Sequence, residues 1–124
     1  MTDQPTGEIT LQTIAMPADA NGNGDIFGGW LMAQMDLGAS VLARRRSAGR
    51  VATVAVDAMV FHRPVHVGDV VSIHSMMTQE GRTSMAIAIE VWTEALGTHA
   101  HTKVTEATFT FVAIDDEGRP RRLP

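Results

Sequence analysis

The stretch Asn21–Arg46, NGNGDIFGGWLMAQMDLGASVLARRR, decides the fold of this 124-residue chain. It opens with two Asn-Gly pairs and the Gly28-Gly29 pair, and it then continues without a proline. After the glycine pair, Gly38 is the only poor helix former in the run. The pattern predicts a glycine-rich loop followed by a helix of about 18–20 residues, which is longer than the average helix.

The predicted helix is apolar over most of its circumference. Its apolar side chains form two rows, Leu31, Met35 and Leu42 in one and Met32, Ala39 and Ala43 in the other. Only Gln34 and Arg44–Arg46 are expected to face water. A helix this apolar must pack against much of the remaining chain.

Asp36 interrupts this apolar surface in the middle of the helix. Most of its neighbours one or two turns away are small: Gly29, Ala33, Ala39, Ser40 and Ala43. Small neighbours leave space over the carboxylate for a close backbone or a ligand. Burying an unpaired carboxylate is costly, so Asp36 has a partner, is kept by function, or lies at a solvated edge of the helix.

Composition describes one ordinary globular domain over residues 1–124, with 44% hydrophobic and 19% charged residues. No run of about 18 apolar residues predicts a membrane span, and no signal peptide is recognisable. The absence of cysteine excludes disulfides, a thiol nucleophile and a thiolate metal site, and it fits a cytoplasmic protein. The net charge of −4 argues against nucleic-acid binding.

Hydrophobic periodicity predicts five strands around the helix: Glu8–Met16, Arg50–Phe61, Val70–Gln79, Ser84–Trp92 and Lys103–Ile114. Residues 1–7 are expected to be frayed, and residues 119–124 to form a basic tail. One strand, one helix and four further strands predict an α+β fold with a mostly antiparallel sheet. One helix cannot cover both faces of such a sheet, so we expect subunits to pair.

Four runs carry a resemblance to a known family: NGNGDIFGGWLMAQMD (21–36), TVAVDAMVFHRPVHVGDVV (53–71), GRTSMAIAIEVW (81–92) and ATFTFVAIDDEGRPR (107–121). They resemble the hotdog-fold acyl-CoA thioesterases of the YciA-like branch. The resemblance implies a central helix wrapped by an antiparallel sheet, and hydrolysis of acyl-CoA to a free acid and coenzyme A. It implies a homodimer as the minimal active unit, often in a trimer of dimers, with no metal and no cofactor apart from the coenzyme A of the substrate.

The resemblance also implies roles for individual residues. The catalytic aspartate falls on Asp36, its partner asparagine on Asn21, and the amides facing the thioester carbonyl on Gly28 and Gly29. The coenzyme-contacting turn falls on Arg82, Thr83 and Ser84. Arg63, Phe27 and Met59 complete the candidate substrate-binding residues, although Phe27 and Met59 could equally pack in the core. Arg44–Arg46 and Arg119–Arg122 are either solvated charges or contacts for coenzyme phosphates.

The chemistry of these residue types agrees with the implied roles. A carboxylate can serve as a base or a nucleophile, and free amides at a helix start can polarise a carbonyl. However, Asp36 lies seven residues beyond Gly29, about 10.5 Å along the helix axis. One thioester group cannot contact both, so we expect a site shared between two chains.

Other readings of the same residues are weaker. An enoyl-thioester hydratase on this fold would pair its Asp with a nearby His, which is missing around Asp36. An acyl-CoA-binding sensor would carry a DNA-binding domain, for which 124 residues leave no space. Residues 19–24 match the opening of a calcium-binding EF-hand loop, but its twelfth position is Trp30 in place of Glu. His99 and His101 lack a third metal ligand.

Overall fold

The computed structural model describes residues 4–124, and Met1–Asp3 lie outside it. It contains one long helix and five strands: α1 (Gly28–Ser47), β1 (Glu8–Ile14), β2 (Val51–Phe61), β3 (Val70–Glu80), β4 (Ser84–Glu94) and β5 (His101–Ala113). The strands form one antiparallel sheet in the order β1-β3-β4-β5-β2. The predicted α+β architecture is confirmed.

Helix α1 packs one of its faces against the sheet. The buried residues of this face recur at helical spacing: Leu31, Met35, Gly38, Ala39, Ala43 and Ser47. The opposite face is open, since Met32 is 40% exposed and Leu37 is 57% exposed. The prediction that only Gln34 and Arg44–Arg46 face water is therefore wrong for the single chain, because a sheet on one side covers only part of a helix.

The core lies between α1 and the concave face of the sheet. In the first part of β4 every second side chain is buried: Met85, Ile87, Ile89 and Val91. The alternation stops at the register shift after Val91, where Trp92 and Thr93 are also buried. Phe109 and Phe111 of β5 are also buried, and their ring centroids lie 6.5 Å apart. No helix within residues 4–124 is long and apolar enough to cross a bilayer.

Gly38 is the point where α1 comes closest to the sheet. A Cβ atom at this position would lie 2.7 Å from Cγ2 of Ile73 and 3.1 Å from Oγ1 of Thr10. These atoms belong to β3 and β1, and the methyl of Ile73 branches directly from its Cβ, so it has little freedom to move away. The glycine therefore sets the distance between helix and sheet.

We expect Gly38→Ala to lower the free energy of unfolding by about 1–2 kcal/mol. Alanine gains about 1 kcal/mol in helix propensity, but inserting a methyl group into a filled core costs about 1–3 kcal/mol, and the close contact with Ile73 puts this site at the upper end. Urea denaturation monitored by circular dichroism measures the difference. The penalty should shrink in an Ile73→Ala background, and a neutral Gly38→Ala variant would contradict the packing argument.

The C-terminus of α1 has no glycine in the left-handed position. Ala48 takes this position, with φ 57°. Arg121 holds this end of the helix, because its Nη1 donates to the carbonyl of Ser47 at 2.8 Å while its Nε donates to the carbonyl of Ile114, which follows β5, at 2.9 Å. An arginine distant in sequence thus supplies donors that the helix end lacks.

The basic tail predicted over residues 119–124 is attached to the rest of the fold by backbone hydrogen bonds. The amide of Arg121 donates to the carbonyl of Ala113, and the amide of Leu123 donates to the carbonyl of Arg82. The side chain of Leu123 packs against the core. The segment fastens the end of α1 to β5 and to the β3–β4 hairpin.

The expectation of fraying over residues 1–7 is wrong for Thr6, and for Met1–Asp3 it lies outside the described residues. The Thr6 hydroxyl donates to Oε2 of Glu90 at 2.7 Å, and the Thr6 amide donates to Oε1 at 3.2 Å. Burial of Glu90 disfavours its charge, but the hydrogen bonds from Trp92 and Thr6 and the nearby Lys103 outweigh it and lower the pKa of Glu90.

Candidate active site

The glycine-rich loop before α1 is folded around the side chain of Asn21. Its Oδ1 accepts hydrogen bonds from the amides of Asn23 at 2.8 Å and Asp25 at 3.3 Å. Because Oδ1 must be the acceptor for both amides, the Nδ2 atom is fixed as a donor. Within residues 4–124 no acceptor contacts Nδ2. The half-buried Asn21 therefore presents free N–H groups.

Helix α1 begins with unsatisfied donors. The residue before the helix is Phe27, which has no capping oxygen and forms no side-chain cap hydrogen bond. The amides of Trp30 and Leu31 bond to the carbonyl of Phe27, whereas those of Gly28 and Gly29 have no acceptor in the described part of the chain. These two amides and the positive end of the helix dipole are available to a developing negative charge.

Three of the predicted site residues line one cleft of about 360 Å³: Asn21, Gly28 and Arg63. The other lining residues are Asp25, Ile26, Leu31, Phe61, His62, Pro64 and Val65. The cleft joins the glycine-rich loop to the segment that follows β2. Gly29 and Phe27 are adjacent to it in sequence, and Phe27 is 53% exposed.

Asp36 does not line this cleft and lies further along α1 on its open side. Its Oδ1 accepts a hydrogen bond of 2.5 Å from the hydroxyl of Thr53 in β2. No arginine, lysine or histidine pairs with Asp36 within residues 4–124, so Thr53 is its partner there. The carboxylate is half-buried, with one oxygen oriented by Thr53 and the other available for chemistry.

Thr53 was not predicted as a site residue. It pairs with Phe111 across the β2–β5 ladder, and since Phe111 is buried against α1, Thr53 takes the face that looks towards the helix. The available signal was a hydroxyl side chain in a strand that is otherwise rich in Val and Ala, and this signal does not assign a face of the sheet.

The predicted coenzyme-contacting residues Arg82, Thr83 and Ser84 form the β3–β4 hairpin. Their backbone is well fixed, since the carbonyl of Ser84 accepts from Gly81 and that of Thr83 accepts from Ala113, both at 2.9 Å. They lie at the end of the sheet where α1 ends, and they line neither the cleft nor the groove described below. Met59 packs against the core, as the alternative interpretation of this residue expected.

A charged network borders the cleft. Nε2 of His62 lies 2.7 Å from Oε2 of Glu106, and Nζ of Lys103 lies 2.9 Å from Oε1. The hydrogen bond with His62, followed by that with Lys103, lowers the pKa of Glu106 below its ordinary value. His62 also contributes to the cleft wall.

The depressed pKa of Glu106 predicts a pH-dependent contribution to stability. The ionised carboxylate stabilises the fold above its ordinary pKa of 4.5, and this contribution is lost as the pH falls through the lower folded-state value. We expect Glu106→Gln to lower the free energy of unfolding by a few tenths of a kcal/mol at neutral pH, because water screens an exposed pair. Urea unfolding at about pH 7 and about pH 3 should show this difference only at the higher pH.

Comparison with known proteins identifies the class of protein that this fold and site define. Residues 23–100 match the family profile described as the Thioesterase superfamily, so the chain belongs to that superfamily. The acyl-CoA thioester hydrolase YciA of Escherichia coli strain K12 is 53% identical over 123 residues, covering 97% of this chain and 93% of the relative.

Solved structures agree with the sequence match. The hexameric thioesterase y2039 from Yersinia pestis superimposes with a TM-score of 0.94 at 52% identity, covering 98% of both chains. A hexameric broad-specificity acyl-coenzyme A thioesterase, solved as an aspartate-to-alanine variant, gives a TM-score of 0.93 at 47% identity, covering 96% of this chain and 88% of the other. The predicted hotdog fold and YciA-like resemblance are confirmed.

Proposed function

We propose that this chain is an acyl-CoA thioester hydrolase that releases a carboxylic acid and free coenzyme A. The observation that carries the proposal is the set of unpaired donors at the start of α1, on Asn21, Gly28 and Gly29, with the carboxylate of Asp36 on the same helix. The activities of the relatives support it, as does the choice of an aspartate for substitution in one of them.

In the proposed reaction the donors bind the thioester carbonyl oxygen. As the carbonyl carbon becomes tetrahedral, negative charge accumulates on this oxygen, and the amides of Gly28 and Gly29 stabilise it. The Nδ2 group of Asn21 is a third donor. Because these groups are already fixed by the helix start and by the loop hydrogen bonds, they need little reorganisation during the reaction.

Asp36 supplies the basic or nucleophilic group. As a base it takes a proton from water, the resulting hydroxide adds to the carbonyl carbon, and the C–S bond then breaks. The thiolate of coenzyme A leaves and receives the proton held by Asp36. As a nucleophile, Asp36 would attack the carbonyl carbon and displace the thiolate of coenzyme A as the C–S bond breaks. Water would then cleave the resulting anhydride to the acid and the regenerated Asp36 carboxylate, and the proton released would go to the thiolate. In both cases Thr53 holds the carboxylate in one orientation.

The separation of the two groups supports a site shared between subunits. Gly29 and Asp36 are about 10.5 Å apart along α1, so the donors and the carboxylate of one chain cannot serve one carbonyl group. We propose that the α1 start of one subunit faces Asp36 of the other.

The edge strand β2 provides the surface for this pairing. It ends the sheet on one side, and it exposes Val54, Val56, Val60 and Phe61 by 57%, 39%, 45% and 49%. An unpaired apolar edge strand of this kind is usually covered by another chain. A partner bound along β2 lies next to Thr53 and hence next to Asp36. We propose this homodimer as the minimal active unit, within a trimer of dimers like the hexameric relatives.

The remaining candidate residues are assigned to substrate binding. Arg63 stands in the wall of the cleft, and Phe27 is exposed next to the start of α1. Arg82, Thr83 and Ser84 of the β3–β4 hairpin offer one cation and two hydroxyl groups to the coenzyme.

The test is release of free thiol from acyl-CoAs of several chain lengths, followed with a thiol reagent. We expect turnover that depends on enzyme concentration, with coenzyme A and the free acid as products. Tight binding without release of thiol would indicate an acyl-CoA sensor, and addition of water to an enoyl-CoA without loss of the thioester would indicate a hydratase. Either result would overturn the proposal.

A further inference from the structure

A second concave surface lies at the opposite end of α1 from the cleft. This groove has a volume of about 750 Å³, about twice that of the cleft, and lies between the last turns of α1 and the start of β2. Its lining residues are Ser40, Val41, Arg44, Arg45, Ala48, Gly49, Arg50 and Val51. Ser40 is one helical turn beyond Asp36, so the groove begins beside the proposed catalytic carboxylate.

The groove carries three arginines and no carboxylate in its lining. Nη1 of Arg45 lies 3.0 Å from Oε1 of Glu8, and both side chains of this salt bridge are exposed. Nη1 of Arg50 donates to the backbone carbonyls of Asp115 and Asp116. Arg44 forms no salt bridge within residues 4–124. Cations at a helix C-terminus complement the helix dipole, but that effect does not require three of them around one hollow.

We infer that this groove binds the phosphate groups of the coenzyme A half of the substrate, an inference that rests on the proposed thioester hydrolysis. Guanidinium groups bind phosphate oxygens in pairs, and a hollow with excess positive charge and no competing carboxylate favours a multiply charged anion.

The length of the substrate fits this arrangement. The pantetheine arm between the thioester sulfur and the diphosphate contains 13 bonds and spans about 15 Å when extended. Arg44 is eight residues beyond Asp36, about 12 Å along the helix, and its side chain extends the reach by several ångströms. A thioester held at Asp36 therefore places the diphosphate within reach of Arg44 and Arg50.

The test compares an acyl-CoA with the corresponding acyl-pantetheine, which lacks the 3′-phosphoadenosine diphosphate part of the coenzyme. We expect Arg44→Gln, Arg50→Gln and the double variant to raise KM for an acyl-CoA, by about tenfold for each arginine, with kcat little changed because the phosphates take no part in bond breaking. The same variants should hydrolyse the corresponding acyl-pantetheine with unchanged KM and kcat. Adenosine 3′,5′-bisphosphate should inhibit the wild-type enzyme competitively and the double variant much more weakly.

Arg119→Gln is the matched control, since it removes one positive charge from the turn whose carbonyls Arg50 contacts. Arg119 is 73% exposed, is paired with Asp115 and Glu117, and lies outside the groove. Its KM for acyl-CoA should stay at the wild-type value. The single Arg44→Gln variant keeps the test valid if loss of the Arg50 backbone contacts weakens the fold.

Three results would overturn the inference. In the first, the groove variants keep a wild-type KM for acyl-CoA. In the second, their KM rises equally for acyl-CoA and for acyl-pantetheine. In the third, Arg82→Gln alone produces the selective rise in KM for acyl-CoA, which places the phosphates at the hairpin. In each of these cases the wild-type enzyme still releases thiol, so failure of the inference is distinct from failure of the proposed function.

Discussion

Replacing Asp36 with asparagine is expected to lower kcat/KM for acyl-CoA hydrolysis by about 10³-fold or more. The amide has the shape of the carboxylate, and its oxygen can still accept the hydrogen bond that Thr53 donates at 2.5 Å. It cannot remove a proton from water, and it is a poor nucleophile. Measurement of thiol release over a range of substrate concentrations gives kcat and KM separately, and the loss should fall mainly on kcat.

Two further variants serve as a control for the loss of a carboxylate and as a measure of the hydrogen bond to Asp36. Asp116→Asn changes an exposed aspartate in the turn after β5 and should leave kcat/KM unchanged. Thr53→Val removes the hydroxyl that orients Asp36 and should cost about tenfold, in line with the loss of one hydrogen bond to a charged group. An Asp36→Asn enzyme that keeps more than about a tenth of the wild-type kcat would exclude the carboxylate as base or nucleophile.

A single turnover in water labelled with oxygen-18 examines the role of the carboxylate. If Asp36 is a nucleophile and water attacks the carboxyl carbon of Asp36 in the anhydride, the first acid released carries an unlabelled oxygen that comes from Asp36. If Asp36 is a base, the first acid released carries the label from water. Mass spectrometry of the acid and of the chain detects both patterns.

The helix and most strands could be predicted because their signals are local. The run after Gly29 contains no proline, and the observed α1 extends from Gly28 to Ser47. In β4 one face meets the core, so partly exposed and buried residues alternate from Ser84 to Val91, and the alternation stops where Trp92 and Thr93 are also buried. The backbone donors of the site could also be predicted from local sequence, because a glycine pair at a helix start exposes its own amides.

The contact between Thr53 and Asp36 could not be predicted because β2 is not a regular strand. Its pairing with β5 shifts register between Thr53 and Ala55 and again between Asp57 and Val60. Ala58 adopts a left-handed φ of 55° at the second shift. Each bulge resets the alternation of side chains, so a period of two residues cannot assign faces along this strand.

The role of the C-terminal segment depends on contacts distant in sequence. A run of three arginines within residues 119–122 has the composition of a solvated tail, and Arg119 is indeed 73% exposed. Arg121 instead donates to the carbonyl of Ser47, 74 residues earlier in the chain. Nothing in the local sequence distinguishes these two arginines, because the difference arises from where the end of α1 lies.

Mixing two inactive variants is expected to restore activity if the site is shared between subunits. Asp36→Asn chains retain the donors on Asn21 and the α1 start, whereas Asn21→Ala chains retain Asp36. Loss of one oxyanion donor costs about 10²–10³-fold, so each variant alone should be nearly inactive. When the two are unfolded together and refolded in equal amounts, about a quarter of all sites combine an intact Asp36 with an intact Asn21 from the neighbouring chain.

About a quarter of the wild-type kcat is therefore expected in the mixture, with a wild-type KM, because the restored sites are complete. The control mixes Asp36→Asn chains with chains that carry both substitutions; it contains no Asp36 and should stay inactive. If one chain held the whole site, no mixture could rescue activity, since every chain would carry one defect. Failure of rescue would mean that one chain holds the whole site. However, Gly29 and Asp36 of one chain are about 10.5 Å apart along α1, so one carbonyl group cannot contact both. The donors at the α1 start would then have to be unnecessary for hydrolysis.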